Sequence, residues 1–407
     1  INLKVNYPNT FTLISELDEV YTEDINGNGT KTTQLKGNNR VNSKLFLNKR
    51  DTYKTVETDY FTVESNIDEE NLKPEEIAVI TDKVAGFITE NLGDYPHKKV
   101  LLTKIDYKKN PIYGLNLLPD FVRPFSDTFQ YELKILKTTL LNYLENTVLI
   151  NPREDQWIID GIQTYYLMKY VEENYPDMKI LGNLANIWGV RAFHAADLKF
   201  NDQYNFLYMH MARSNIDQPL NMPKDSLLKF NKNIANKYKA GVGLNYLDQY
   251  MENNAMDVML TQFLKENKLK TTNSEAFKNY ITEKTDKNID WFFEDYVGSS
   301  MKIDFKIKKV EKTEDSLTIT IKNKKDHLMP VSLFTIKDDS VLSKQWIEGF
   351  KGYKKITIAN NDADKLALNY DTTIPEMNLR NNWKSLGGFL SNNKPLQFRL
   401  FKDIEDP

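Results

Sequence analysis

The spacing of apolar positions changes twice along this chain, and the changes divide it into regions. Over residues 11–64, short apolar or β-branched runs at 11–14, 41–47 and 60–63 alternate with Asn, Gly and Asp clusters, which predicts antiparallel strands. At Pro74 the spacing becomes helical. Pro74-Glu75-Glu76 marks a helix start, and Ile77, Val79, Ile80, Val84, Phe87 and Ile88 follow at helical intervals up to Gly93. A strand-like stretch covers 99–107. Asp127, with Gln130 three residues on, predicts an N-cap pair opening a helix to about residue 146, with Phe129, Leu133, Leu136, Leu140 and Leu144 as its buried face. Further helices are predicted at 156–173, 178–188, 203–212, 238–267, 274–283 and 290–297. After Ser299-Ser300 the period falls to two, with alternating runs at 303–307 and 317–321 and apolar runs at 331–336 and 356–358, the pattern of a β-sandwich. Residues 370–407 show little periodicity apart from 396–401.

These periods predict an α+β chain in several parts: 1–70 as the end of an N-terminal β domain, 71–299 as a mostly helical domain, 300–370 as a β-sandwich and 371–407 as a tail or linker. With 407 residues, 40% apolar and 27% charged, the chain can bury large cores. A formal charge of -3 without any long basic stretch argues against a nucleic-acid partner. The lack of Cys excludes disulfides, thiolate metal sites and cysteine nucleophiles, so any metal would depend on His, Asp and Glu. No run approaches the ~18 apolar residues of a membrane helix, and the N-terminus has no signal pattern. Because the chain starts at Ile1 and enters strand-like sequence directly, further sequence is expected upstream. Asp24 to Gly29 resembles half of an EF-hand loop, but Leu35 stands where a bidentate Glu is needed, so a hairpin tip is predicted. Serine-hydrolase and nucleotide-binding motifs are absent from the sequence.

Three segments, in order, carry a family resemblance. Trp157-Ile158-Ile159-Asp160-Gly161-Ile162-Gln163-Thr164-Tyr165 is similar to an Asn-Glu-Gly-x-Ala-x-Tyr motif. Asn236-Lys237-Tyr238-Lys239-Ala240-Gly241 is similar to a Tyr-x-x-Gly turn, and Asn288 to Val297, with Trp291-Phe292-Phe293-Glu294, is similar to a closing aromatic helix. Together they resemble the aminopeptidase N-type zinc metallopeptidases, the gluzincins. The resemblance implies the end of a β saddle domain, a thermolysin-like helical domain and an Ig-like β-sandwich.

It also implies where a zinc site would lie. The third ligand of such enzymes corresponds to Asp160, and their H-E-x-x-H helix, ending nineteen residues earlier, corresponds to Lys137-Thr138-Thr139-Leu140-Leu141. His at i and i+4 project from one helical face and share a cation through neutral ring nitrogens. Lys137 and Leu141 provide no such nitrogens, and Thr138 replaces the general-base Glu. The four histidines, His97, His194, His210 and His327, form no i, i+4 pair. Leu also stands near the amine-anchoring Glu position in the segment 113–119. Tyr238 corresponds to the family's oxyanion donor, but without a zinc-bound water local packing is expected of it. Asp160, deprived of a metal, is expected to cap locally or pair with Lys137.

A catalytically inactive, peptidase-like module is therefore expected, with no cofactor and no metal. Polypeptide or envelope-protein partners follow from the resemblance, as do a bacterial cell-envelope location, periplasmic or outer-membrane associated, and a following outer-membrane barrel. The alternative is a metal-dependent hydrolase or peptidase using a non-family site, such as His194 and His210 with Asp197.

Overall fold

The structure, a computed structural model, describes residues 1–387 other than 26–28, 41, 50, 51, 70, 114, 116–123 and 193–195. Helices and mainly antiparallel sheets give the α+β class that the periods predict. The chain forms two compact units, one of Ile1–Asn151 with Asp257–Phe277 and one of Pro152–Met256 with Lys278–Pro407.

The first unit opens with strands β1 (Asn2–Pro8), β2 (Thr12–Ser15), β3 (Asp18–Ile25), β4 (Thr30–Lys36) and β5 (Leu45–Asn48). β4 lies between β1 and β3, and β2 pairs with β5. Asp24 and Ile25 oppose Lys31 and Thr30 across the antiparallel β3–β4 pair, so Asp24 belongs to the strand, and residues 26–28 of the expected hairpin tip lie outside the described residues. Strands β6 (Lys54–Glu57) and β7 (Thr62–Ser65) then pair antiparallel, while β8 (Lys99–Leu102) runs parallel to β7. A parallel pair needs a crossover, and helix α1 (Pro74–Leu92) supplies it. Glu76 Oε2 accepts from the Lys73 amide at 2.8 Å, satisfying one open donor at the α1 N-terminus. Ile77, Ile80, Val84 and Ile88 are buried in its stripe, whereas Val79 falls off the stripe and is 70% exposed.

Two sequence expectations need correction in this unit. The strand expected over 99–107 stops at Leu102, because Thr103 caps a short helix α2 (Lys104–Lys109) by accepting from Asp106 N at 2.9 Å. The cap of α3 (Asp127–Thr147) is Ser126, not Asp127, with its hydroxyl accepting from Phe129 N at 3.2 Å. The predicted buried face of α3 holds, since Phe129, Leu133, Leu136, Leu140 and Leu144 are essentially inaccessible.

The second unit is organised around α4 (Gln156–Asn174), α5 (Asp202–Arg213) and α6 (Asn236–Met251). α4 and α6 approach unusually closely. A Cβ on Gly241 would lie 2.4 Å from the Thr164 side chain, and one on Gly161 would lie 3.3 Å from Ala240 Cβ. Gly243 faces Tyr296, where a Cβ would come within 2.3 Å of the ring. Interior helical glycines cost roughly 0.5–1 kcal/mol relative to Ala, and this close packing is what they permit.

The single helix expected over 238–267 is two. Glu252, Asn253 and Asn254 all take positive φ, and Asp248 accepts from Met256 N at 3.0 Å to start α7 (Ala255–Glu266). α8 (Ser274–Glu283) follows as expected. Residues 178–188 form no α-helix: Gly182 takes φ +50, and 3-10 turns at Gly182–Asn186 and Val190–Ala192 replace it. The expected 290–297 helix is a wider π-helical turn, Phe292–Val297, in which Phe292 and Tyr296 stack at 5.8 Å.

The sandwich follows. Strands β9 (Phe305–Lys312), β10 (Ser316–Asn323), β11 (Val331–Lys337), β12 (Ser340–Ile347), β13 (Tyr353–Ala359), β14 (Lys365–Leu368) and β15 (Trp383–Ser385) form sheets ordered β13-β10-β9 and β12-β11-β14-β15. β10 buries alternate residues, Leu317, Ile319 and Ile321, whereas β11 is buried on both faces. β15 comes from a stretch without periodicity. A buried carboxylate anchors the segment before it: Glu376 accepts from Phe305 N and Asn382 Nδ2 at 2.7 Å and from Asn369 Nδ2 at 3.2 Å. Burial pushes its carboxyl up to about 7, against the opposing pull of those donors.

A raised carboxyl pKa favours the folded state below the ordinary value of 4.5 and loses that contribution as pH rises through about 7. Thermal melts of Glu376→Gln and the parent across this window should therefore shift in the variant's favour with rising pH, by roughly 3 kcal/mol in total. A difference between the two that is flat in pH would contradict the assignment.

Candidate functional site

On α3, the positions that the sequence resemblance sets against a metal-binding helix carry side chains engaged in the helix's own surroundings. Lys137 is 4% exposed and its ammonium donates to the Pro111 carbonyl at 2.8 Å. The Thr138 hydroxyl donates back to Lys134 O at 2.8 Å, four residues earlier. Leu141 is half-buried. An ammonium has three donors and no lone pair, and neither Thr138 nor Leu141 supplies an imidazole or carboxylate.

Asp160 and Tyr238 belong to the second unit. Asp160 is buried on α4 and accepts from Gln156 Nε2 at 3.5 Å. It borders a cavity of about 20 Å³ together with Arg153, Trp157, Lys232 and Asn236. That volume holds a water but no substrate. Tyr238 is buried on α6, edge-on to Tyr204 at 4.8 Å between ring centroids, and packs with Val242. Lys137 and Asp160 thus each have a partner within their own unit. Of the expected amine-anchor segment, Tyr113 and Leu115 are described, and Leu115 is buried. The rest of that segment lies outside the described residues.

The histidines lie in different settings. Burial holds His97 and His327 down to about 4, His210 is exposed on α5, and His194 lies outside the described residues. Among the described residues no group of three or more His, Cys, Asp or Glu is placed to hold a metal ion.

Two features escape the sequence reading. The residue after Tyr238, Lys239, is fully buried, donates to Ser299 O at 2.8 Å and lies over the rings of Tyr208 and Tyr296. Burial lowers it to about 7, partly offset by Asp217, which itself pairs with Lys302. The only sequence signal is a charge on an otherwise apolar helix face. The second feature is a cavity of about 670 Å³ formed by α4, α5, α6 and residues 370–373, with Asn201, Asn205, Asn245 and Gln249 among its polar walls and Tyr175 and Tyr370 among its aromatic ones. Its wall combines residues far apart in sequence, so no local motif announces it. A volume of this size suits a peptide segment or small molecule.

No protein-family model matches this chain, and no curated protein does. Among solved structures it is similar to Legionella pneumophila aminopeptidase A, crystallised in complex with aspartic acid, at 10% sequence identity and a TM-score of 0.65. The match covers 92% of this chain and 44% of that one, so the chain spans less than half the length of that protein. At such identity the likeness establishes an aminopeptidase-like fold.

The buried lysine generates a prediction. A lysine pKa lowered from 10.5 to about 7 gives stability that is full above the ordinary value and lost as pH falls through about 7. Lys239→Met should therefore raise Tm relative to the parent most strongly near pH 6, and this advantage should shrink as pH rises toward about 10. Paired melts check this, and an advantage that grows with pH would refute it.

Proposed function

We propose that this chain is a degenerate gluzincin module that lacks peptidase chemistry and binds polypeptide. The observation that carries this reading is the use made of the α3 positions: Lys137 is spent on the Pro111 carbonyl and Thr138 on the helix backbone. Zinc peptidase catalysis needs three protein ligands and a base that takes a proton from the metal-bound water. At the corresponding positions this sequence has Lys137, Leu141 and Asp160 for the ligands and Thr138 for the base. A binding role needs only the fold and a groove, and the 670 Å³ cavity supports the second requirement. Its amide and carboxylate walls suit a polypeptide backbone, whose N–H and carbonyl groups need partners once desolvated. A polypeptide or envelope-protein partner, and a place in the bacterial cell envelope, belong to this same proposal.

Metal analysis of the purified protein, combined with hydrolysis assays on aminoacyl and peptide substrates, tests the reading. Substoichiometric zinc and hydrolysis at background, unchanged by chelator, are expected. Stoichiometric zinc with chelator-sensitive cleavage would overturn the proposal and favour a metallopeptidase acting through a non-family site.

A further inference from the structure

A second cavity, of about 480 Å³, opens in the second unit where the Phe292–Val297 turn meets two loops of the sandwich. The carboxylates of Asp290, Glu294, Asp295, Asp326 and Glu348 line it, against the single charge of Lys351. Part of that negative charge is already met. Lys351 pairs with Asp326 at 3.2 Å, Lys278 stands 3.9 Å from Glu294, and Asp295 accepts from Leu328 N at 2.9 Å. Asp290 and Glu348 have no ion-pair partner among the described residues.

The inner wall points to a ligand independently of the charges. Trp291 is 5% exposed and His327 1%, and both line the cavity. Trp291 Nε1 and His327 Nε2 lack a hydrogen-bond partner among the described residues. His327 Nδ1 accepts from Met329 N at 3.2 Å, so the proton of the neutral ring belongs on Nε2. Burial, which holds this imidazole down to about 4, keeps it neutral in spite of nearby Asp295 and Asp326. Both open nitrogens are therefore N–H donors, and a metal ion could not use either of them. Met301 and Leu328, 37% and 49% exposed, add apolar surface at the rim. Close by, Lys287 already lies over the Tyr250 ring at 5.0 Å, so an aromatic face here accommodates an ammonium group.

We propose that this cavity binds a lysine- or arginine-bearing segment of a partner polypeptide. Such a segment supplies a cation for Asp290, Glu294 and Glu348, backbone carbonyls for the Trp291 and His327 donors, and methylene stems for Met301 and Leu328. Unpaired atoms occur elsewhere, such as Asp217 Oδ2, but that carboxylate is already ion-paired to Lys302. At Trp291 and His327 the unpaired donors belong to side chains that line a cavity carrying unneutralised acid. The assignment stands on these residues alone and does not depend on the loss of zinc chemistry.

Calorimetric titration of the full chain with a short lysine-rich peptide tests the proposal, with the lysine-acetylated peptide and a glutamate-substituted peptide as comparators. Saturable binding that weakens with salt is expected for the first, and roughly tenfold or weaker binding for the others. The double variant Glu294→Gln/Glu348→Gln, on exposed positions, should lose about tenfold in affinity with its melting temperature unchanged. The Trp291 indole N–H resonance, assigned through Trp291→Phe, should shift on binding. Equal affinity for the acetylated peptide, an unaffected double variant or a static Trp291 resonance would overturn the assignment. So would absent binding, or displacement of the peptide by stoichiometric calcium. A failure here leaves the metal analysis unaffected, and zinc-dependent cleavage leaves this binding result unaffected.

Discussion

The second unit depends on how closely α6 can approach its neighbours. Gly241 meets Thr164, Gly161 meets Ala240 and Gly243 meets the Tyr296 ring, each at a distance that a larger residue would have to push apart. Adding a methyl group to a contact this tight typically costs about 1–3 kcal/mol through displaced backbone and strained rotamers. The arrangement is pinned further by Tyr296, whose hydroxyl donates to Lys239 O at 2.8 Å, and by the stack of Tyr296 on Phe292. Asp160 and Tyr238 ride on these two helices, so their positions are set by packing before any chemistry is asked of them.

In α3 the buried polar side chains are tied to the surrounding backbone. The buried Lys137 donates to a carbonyl, which offsets part of the cost of desolvating an ammonium. Lys239 meets the same problem differently, because burial pulls it down to about 7, which lowers the cost of holding it in the interior. Glu376 is the mirror case, a carboxyl pushed up to about 7 that is still surrounded by three donors. Each of these groups fixes a segment. None of the three needs a metal to account for its position.

Much of this was legible in the sequence. The period change at Pro74, the buried stripe of α3 and the alternation of β10 follow from side-chain geometry and appear where expected. What escaped were decisions made by single residues or by distant contacts. Ser126 took the cap from Asp127, and Asn253 and Asn254 cut a long apolar helix in two by adopting positive φ. β15 forms because Trp383 finds Ala367 on β14, a pairing no local pattern encodes. For the site, Lys137, Thr138, Leu141 and Asp160 could be singled out only through the family resemblance, and their partners could not be read at all. Neither cavity could be read, because each is walled by segments far apart in the chain.

The treatment of buried polar groups separates framework from candidate surface in this molecule. Glu376 has both carboxylate oxygens engaged, and the segment it holds is locked to the sandwich. Trp291 and His327 are also deeply buried, yet each leaves an N–H without a partner among the described residues, at a typical cost of about 1–3 kcal/mol per group. Packing offsets that cost: Trp291 lies against Tyr246 at 4.6 Å and Tyr250 at 5.7 Å, and His327 lies edge-on to Phe305 at 5.4 Å. A fold selected only for stability gains little from unpaired donors on side chains that line an acidic cavity. A fold that meets a partner there recovers the lost hydrogen bonds on binding, and the aromatic cluster keeps the donors in place until it does.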